Sequence, residues 1–145
     1  MSLVNFQLSM ANTLHIKNEL GQLALVYTFI ERETVHAGLS ESSQKQVKLA
    51  LEEAVTNVIL YAYPDKKEQD ISIDLCVTDG RLKIDITDSG LPFNPLEKDS
   101  PDLTLPADER PIGGLGIFLV TQLMDDVWYS SPAGKNVLTM IKNIS

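Results

Sequence analysis

The chain has 145 residues, and its 20 Asp and Glu outnumber its 12 Lys and Arg to give a net charge of −8. Hydrophobic residues make up 43% and charged residues 22%, a globular composition that excludes disordered and fibrous classes. The acidic balance disfavours non-specific binding to nucleic acid or anionic membranes. One cysteine, no long apolar run and no signal-like N-terminus predict a cytoplasmic protein of a single domain over residues 1–145, without an intrachain disulfide.

The first part of the chain predicts one strand and two helices. Residues 2–9 alternate loosely in polarity, as an edge strand does. Apolar residues between 13 and 35 recur at helical spacing, and Gly38 marks the end of that helix. A second apolar stripe predicts a helix from residue 40 or 41 to Ala62, where Pro64 stops it.

The pattern then changes to a period of two, which is typical of strands. Residues 71–77 and 82–86 each place apolar side chains on one face, and Asp79-Gly80 between them is a strong hairpin signal. An antiparallel pair with one apolar face needs a helical layer over that face.

Residues 92–111 hold five of the seven prolines, which predicts a long binding loop or lid, at about 94–112. A short helix is expected from the glycines at 113–116 to about Asp126, followed by strands at 127–130 and 137–141. The order of elements predicts an α+β two-layer sandwich, with a mixed, mainly antiparallel sheet covered on one face by three helices.

Two polar residues of the second helix could carry chemistry. Glu53 and Asn57 stand four residues apart, so both lie on one strip of the helix beside its apolar stripe. Taken alone, such a pair is more often part of a solvated helix face. However, asparagine is a mediocre helix former, which favours a role for its amide.

Asp88 is the second candidate, because strand parity places it on the buried face with Leu82, Ile84 and Ile86. A buried carboxylate is costly unless it is hydrogen-bonded. Asp88 either caps the turn that follows or accepts a hydrogen bond from a ligand such as an exocyclic amine.

The third candidate is the segment Gly113-Gly114-Leu115-Gly116 at the start of a helix. Glycines allow close backbone approach, and a helix N-terminus offers free N–H groups to a phosphate. The segment matches neither a P-loop nor a dinucleotide fingerprint, whose last glycine is replaced here by Leu119. A flexible hinge is the other interpretation.

Together, in this order, the three segments resemble the N, G1 and G2 boxes of the GHKL superfamily of ATP-binding domains, over roughly residues 10–143. The boxes are Glu53-Ala-Val-Thr-Asn57, Asp88-Ser-Gly90-Leu-Pro-Phe93 and Gly113-Gly-Leu-Gly116. One branch, the bacterial anti-sigma-factor serine/threonine kinases, is most similar to this chain in four segments: residues 51–57, Leu91-Pro-Phe-Asn-Pro95, residues 113–120 and Met124-Asp-Asp-Val127. The resemblance implies the Bergerat, or histidine-kinase-like ATPase, fold.

The resemblance also implies roles for single residues, with ATP and Mg²⁺ as cofactors. Asn57 would bind Mg²⁺ through its amide oxygen, which is an acceptable hard ligand. Glu53 would act as the general base, and Asp88 would accept a hydrogen bond from the adenine amino group. Gly90 would keep the edge of the purine ring accessible.

The glycine segment 113–116, including Leu115, would wrap the phosphates and close the lid. Arg110 either neutralises phosphate charge, contacts a partner or is simply exposed. The chain departs from the family at Asn136 and Val137, where a pair of threonines is usual and one hydroxyl helps to bind adenine. Asn94 also stands where an aspartate is more common.

By this resemblance the chain is an ATP-dependent serine/threonine protein kinase and an anti-sigma regulatory factor. It would phosphorylate a small anti-sigma-factor antagonist and bind a sigma factor, and homodimers are common in the family. The alternative is a catalytically weak, nucleotide-gated protein-binding module of the same fold.

Overall fold

The fold consists of five strands and three helices. The computed structural model describes residues 10–63, 67–97 and 114–144. In chain order the elements are β1 (Met10–Lys17), α1 (Leu23–His36), α2 (Glu41–Tyr61), β2 (Asp70–Thr78), β3 (Arg81–Asp88), α3 (Gly114–Leu123), β4 (Asp126–Ser130) and β5 (Asn136–Asn143). This order of strands and helices is the one that the sequence predicts.

The strands form one sheet in the order β1-β2-β3-β5-β4, with the helices packed on one face. All four pairings between the described strands are antiparallel, so the parallel pair of a mixed sheet does not occur among them. In the helical layer, α2 contacts both α1 and α3. The predicted α+β two-layer architecture is confirmed.

The hairpin of β2 and β3 forms the centre of the core. Its register places Ile73 opposite Ile86 and Leu75 opposite Ile84, and all four side chains are buried under the helices. The turn residues Asp79 and Gly80 have positive φ angles of 53° and 73°, the combination that a two-residue Asp-Gly turn supplies. Along β3, residues whose side chains are buried alternate with more exposed ones, without interruption, up to the last residue, Asp88.

Helix α2 begins where the sequence predicts, because the Ser40 hydroxyl accepts a hydrogen bond from the Ser43 N–H at 3.1 Å and caps it. Its buried stripe, which includes Val47, Leu51 and Val55, packs on the sheet. Within the described part of the chain, no helix combines the length and apolar character needed to cross a membrane.

The prediction of a helix starting near residue 13 is wrong. Residues 10–17 form β1, where Leu14 and Ile16 lie opposite Ile73 and Ile71, and α1 begins only at Leu23. The apolar residues of this segment fit a period of two as well as a helical period, and pairing with β2 decides between them. The edge strand predicted at 2–9 lies outside the described residues.

The third helix ends earlier than predicted. It stops at Leu123 instead of near Asp126, because Asp126 already pairs with Ile141 as the first residue of β4. The strands predicted at 127–130 and 137–141 are confirmed, each with extra residues at its ends.

Candidate functional site

The amide oxygen of Asn57 is buried and has no hydrogen-bond partner among the described residues. The side chain projects from α2 and is 7% exposed. Its Oδ1 atom accepts no hydrogen bond from any described residue. A buried, unpaired amide oxygen costs about 1–3 kcal/mol, so its position calls for a ligand or a cation. Amide oxygens are suitable ligands for hard cations such as Mg²⁺.

Glu53 lies one turn before Asn57 on the same helix and is half-buried. Burial raises the pKa of the Glu53 carboxyl above its ordinary value of 4.5, and the negative charge of Glu52 raises it further. A carboxylate with a raised pKa is a better proton acceptor near neutral pH.

Gly116 contacts this carboxylate directly. A Cβ atom built on Gly116 would lie 2.6 Å from Oε2 of Glu53, closer than real Cβ contacts allow. Since Gly116 stands in the first turn of α3, the missing side chain lets that helix lie against the acid. The structure therefore brings together two residues that the sequence analysis placed in separate segments.

Asp88 ends β3 on the helical side of the sheet and is 5% exposed, as strand parity predicts. The backbone N–H of Gly90 and the Nδ2 group of Asn136 donate to its Oδ1 atom at 2.8 and 3.0 Å. Burial raises the pKa of Asp88, and these two hydrogen bonds oppose the rise. Both bonds end on Oδ1, and Oδ2 accepts none from the described residues.

A small cavity lies between α2, the end of β3, the loop after it and the strands β4 and β5. Its free volume is about 20 Å³, room for roughly one water molecule, so a purine ring could enter only if lining side chains moved. Its walls are mostly apolar, with four side chains that carry polar groups among them. The lining residues are Ala54, Asn57, Val58, Ala62, Ile86, Asp88, Phe93, Pro95, Tyr129, Asn136 and Leu138.

Gly90 is required by the packing of the loop after β3. A Cβ atom on Gly90 would overlap the backbone carbonyl oxygen of Ala62 and lie 2.7 Å from the Ala62 Cβ. The N–H of Leu91 donates to the same carbonyl at 3.0 Å, which fixes the loop on the end of α2. The expected role of Gly90 at the purine edge stays a prediction.

We expect Gly90→Ala to lower the free energy of unfolding by about 1–3 kcal/mol, because a backbone carbonyl cannot rotate away from the new methyl group. Thermal unfolding measures the effect. Gly21→Ala is the matched control, since a Cβ there meets nothing within 4 Å. Equal melting temperatures for the two variants would contradict the close contact with Ala62.

The structure describes only some of the remaining predicted site residues. Gly114 is the first residue of α3, and the backbone of Leu115 follows it in the helix. Gly113 and Arg110 lie outside the described residues, as does most of the predicted lid at 94–112. In the described part of the chain the loop begins with a short 3₁₀ turn at Pro95–Glu97.

Two tyrosines, one in the cavity wall and one beside it, were not identified as site residues from the sequence. Tyr63 accepts a hydrogen bond from the Ser89 N–H at 3.1 Å, and Tyr129 donates from its hydroxyl to Oδ1 of Asn136. Tyr129 faces the helices because it shares the parity of Val127, which lies opposite Met140. That alternation in β4 is the signal that could have identified it.

Most of the chain matches one known protein family. Residues 16–142 match the family model described as the histidine kinase-like ATPase domain. The chain belongs to this family. The match covers all three helices, all of β2 to β4 and most of β5, so it includes every described residue of the candidate site.

The curated relatives of this chain match it over only part of their own length. The chain is 32% identical over 95 residues to a serine-protein kinase RsbW from Listeria monocytogenes, covering 63% of this chain and 60% of the relative. It is 33% identical over 106 residues to the RsbW of Oceanobacillus iheyensis, covering 70% of this chain and 66% of the relative. The matched part thus spans less than two thirds of these relatives.

A solved structure shares the fold of this ATPase domain. It contains the RsbU and RsbW domains of a Mycobacterium tuberculosis protein and superposes with a TM-score of 0.62 at 16% identity. The superposition covers 91% of this chain and 32% of that one. At this identity the likeness concerns the fold alone.

Proposed function

We propose that this ATPase domain is a serine/threonine protein kinase that transfers the γ-phosphoryl group of Mg·ATP to a small protein partner. One observation carries the proposal. The unpartnered Oδ1 of Asn57 lines the same cavity as the Asp88 carboxylate, and Glu53 lies one turn away on the same helix. The relatives named serine-protein kinase RsbW support the same reading.

The adenine would lie in the cavity with its amino group donating to Asp88. Because two protein groups already donate to Oδ1 and no described residue donates to Oδ2, Oδ2 is the acceptor available to a ligand. Apolar walls with a few directing polar groups are typical of sites for flat aromatic ligands. Phe93 and Tyr129, which line the cavity, would have to shift to admit the ring.

Asn57 fits a Mg²⁺ site, since its amide oxygen is buried and accepts no hydrogen bond from the described residues. Mg²⁺ is commonly held by one or two protein groups together with phosphates and water. When bound, the ion would neutralise charge on the phosphates. The N-terminal residues Gly114 and Leu115 of α3, with Gly113 and Arg110 before them, are proposed to contact the phosphates through the backbone and the guanidinium.

Glu53 is the proposed general base. The oxygen of a serine or threonine hydroxyl forms a bond to the γ-phosphorus, the bond from that phosphorus to ADP breaks, and the hydroxyl proton passes to the Glu53 carboxylate. Most of the rate comes from positioning and charge neutralisation, and proton transfer adds to it.

By the family resemblance of the sequence, the acceptor would be an anti-sigma-factor antagonist, and the same chain would bind a sigma factor. The test is transfer of radiolabelled γ-phosphate from Mg·ATP to the cognate antagonist. Thermal shifts with Mg·ATP, Mg·ADP and Mg·GTP accompany it, and the adenine nucleotides should stabilise the chain more. Tight ATP binding without transfer would instead indicate a nucleotide-gated binding module.

We expect the rate of phosphoryl transfer to fall on the acid side of neutrality, at a pH above the ordinary glutamate pKa of 4.5. The base must be ionised, and burial raises the pKa of Glu53, so protonation abolishes activity at a higher pH than for an exposed glutamate. The pH profile of kcat at saturating Mg·ATP measures this limb. An acid limb that persists in Glu53→Gln belongs to another group and would contradict the assignment.

A further inference from the structure

Asn136 stands at the start of β5, directly opposite Asp88 in the sheet, and is 5% exposed. Its Nδ2 group donates to Oδ1 of Asp88 at 3.0 Å and to the carbonyl of Leu91 at 2.8 Å. Its Oδ1 atom accepts from the Phe93 N–H at 3.1 Å and from the Tyr129 hydroxyl at 2.5 Å. One side chain thus connects β3, the loop after it and β4.

These contacts use the full hydrogen-bonding capacity of a carboxamide, which has two N–H donors and two acceptor sites. A ligand would therefore find neither a free donor nor a free acceptor on Asn136. The family resemblance implies a hydroxyl at this position that helps to bind adenine, and the arrangement around Asn136 provides a different role.

We propose that Asn136 is a positioning residue, which holds the Asp88 carboxylate and the wall of the adenine pocket in place without hydrogen-bonding the base. The inference rests on the proposed function, in that it takes Asp88 as the adenine acceptor. It assigns adenine selectivity jointly to Asp88 and to the residue across the sheet from it.

The geometry around Asp88 gives the physical reason. With Asn136 and Gly90 both donating to Oδ1, the carboxylate cannot rotate without losing two hydrogen bonds, and Oδ2 keeps a fixed direction. Without Asn136, the Gly90 N–H is the one donor to Oδ1 of Asp88 that remains among the described residues. A fixed acceptor both attracts the amino group of adenine and repels the carbonyl oxygen that guanine carries at that place.

The same side chain also holds two walls of the cavity, Phe93 and Tyr129. Phe93 is tethered through its backbone N–H and Tyr129 through its hydroxyl. Since the cavity has room for about one water molecule, a purine must displace these walls, and Asn136 gives them a common anchor. Loss of the anchor should loosen the pocket for any purine while removing the preference for adenine.

The experiment compares Asn136→Ala with Thr139→Val in the full chain. Thr139 is the matched control because it is also a buried polar residue of β5, but it lies on the opposite face of the sheet and donates to Asp85. Isothermal titration gives dissociation constants for Mg·ATP and Mg·GTP, and thermal unfolding gives the stability of each variant. Steady-state transfer to the antagonist separates kcat from KM.

For Asn136→Ala we expect the ratio of GTP to ATP dissociation constants to fall about tenfold, as expected when a charged hydrogen bond is loosened. The KM for ATP should rise and kcat should change little, because Glu53 and Asn57 are untouched. Tyr129→Phe removes only one of the two hydrogen bonds to Oδ1 of Asn136. The ratio of GTP to ATP dissociation constants should therefore fall less than in Asn136→Ala. Thr139→Val should leave the ratio unchanged.

An unchanged ratio in Asn136→Ala, with ATP and GTP weakened equally, would overturn the proposal. If that variant does not fold, an unchanged ratio in Tyr129→Phe overturns it instead. A wild-type chain that does not prefer ATP would show that the proposed adenine site itself is wrong. Loss of preference in Asp88→Asn but not in Asn136→Ala would keep the site and reject the positioning role.

Discussion

Glu53→Gln should lower the rate of phosphoryl transfer about 10²–10⁴-fold, the usual contribution of a general base. The amide keeps nearly the same shape but cannot take the proton from the attacking hydroxyl. Binding of Mg·ATP should persist, because Asn57 and Asp88 are unchanged. Single-turnover transfer from radiolabelled ATP measures the first effect, and titration calorimetry measures the second.

Glu52→Gln is the matched control for this variant. Glu52 is the neighbouring acid on α2, but its carboxylate accepts a hydrogen bond from the Tyr27 hydroxyl at 2.6 Å, away from the cavity. Its rate should stay near that of the wild type. Because burial disfavours the charge on Glu53, Glu53→Gln should not lower the melting temperature. Transfer at the wild-type rate by a folded Glu53→Gln chain would refute the base assignment.

Asp88→Asn should weaken Mg·ATP binding by about 1–3 kcal/mol, the cost of leaving a buried polar group of the ligand unpaired. Since Asn136 and Gly90 donate to Oδ1, the new amide must keep its oxygen there and place its NH₂ group toward the ligand. Two donors would then face each other, the new amide and the adenine amino group. Guanine, with a carbonyl oxygen at that position, should gain relative to adenine.

Asp85→Asn tests whether the effect is specific to the pocket. Asp85 is on the same strand, but it accepts from Thr139 on the face away from the helices. Its substitution should leave the preference for ATP over GTP unchanged. Calorimetric titration of both variants with both nucleotides decides the matter. Unchanged ATP affinity in Asp88→Asn would exclude adenine recognition by this carboxylate.

The sequence predicts most of the fold because its local patterns are unambiguous between residue 40 and Asp88. The capped stripe of α2 and the alternation on both sides of Asp79-Gly80 correspond closely to the observed elements. The segment at 10–17 could not be predicted in the same way. There the apolar spacing fits both a strand and a helix, and only pairing with β2 selects the strand.

The candidate site, like the fold, could be predicted only where local patterns fix the positions of its residues. Helical spacing places Glu53 beside Asn57, and strand parity places Asp88 inside, so these positions follow from local rules. The contact between Asp88 and Asn136 depends on β5 lying next to β3, which residue patterns do not specify. The close approach of Gly116 to Glu53 likewise depends on how two helices pack, so the sequence could indicate a phosphate loop but not this contact.

The missing side chain at position 116 leaves room for the Glu53 carboxylate against α3. A side chain at position 116 would meet Oε2, the far end of a flexible side chain, so the acid would turn to another rotamer before the two helices had to move apart. The residue at position 116 therefore sets the direction in which the acid at position 53 points.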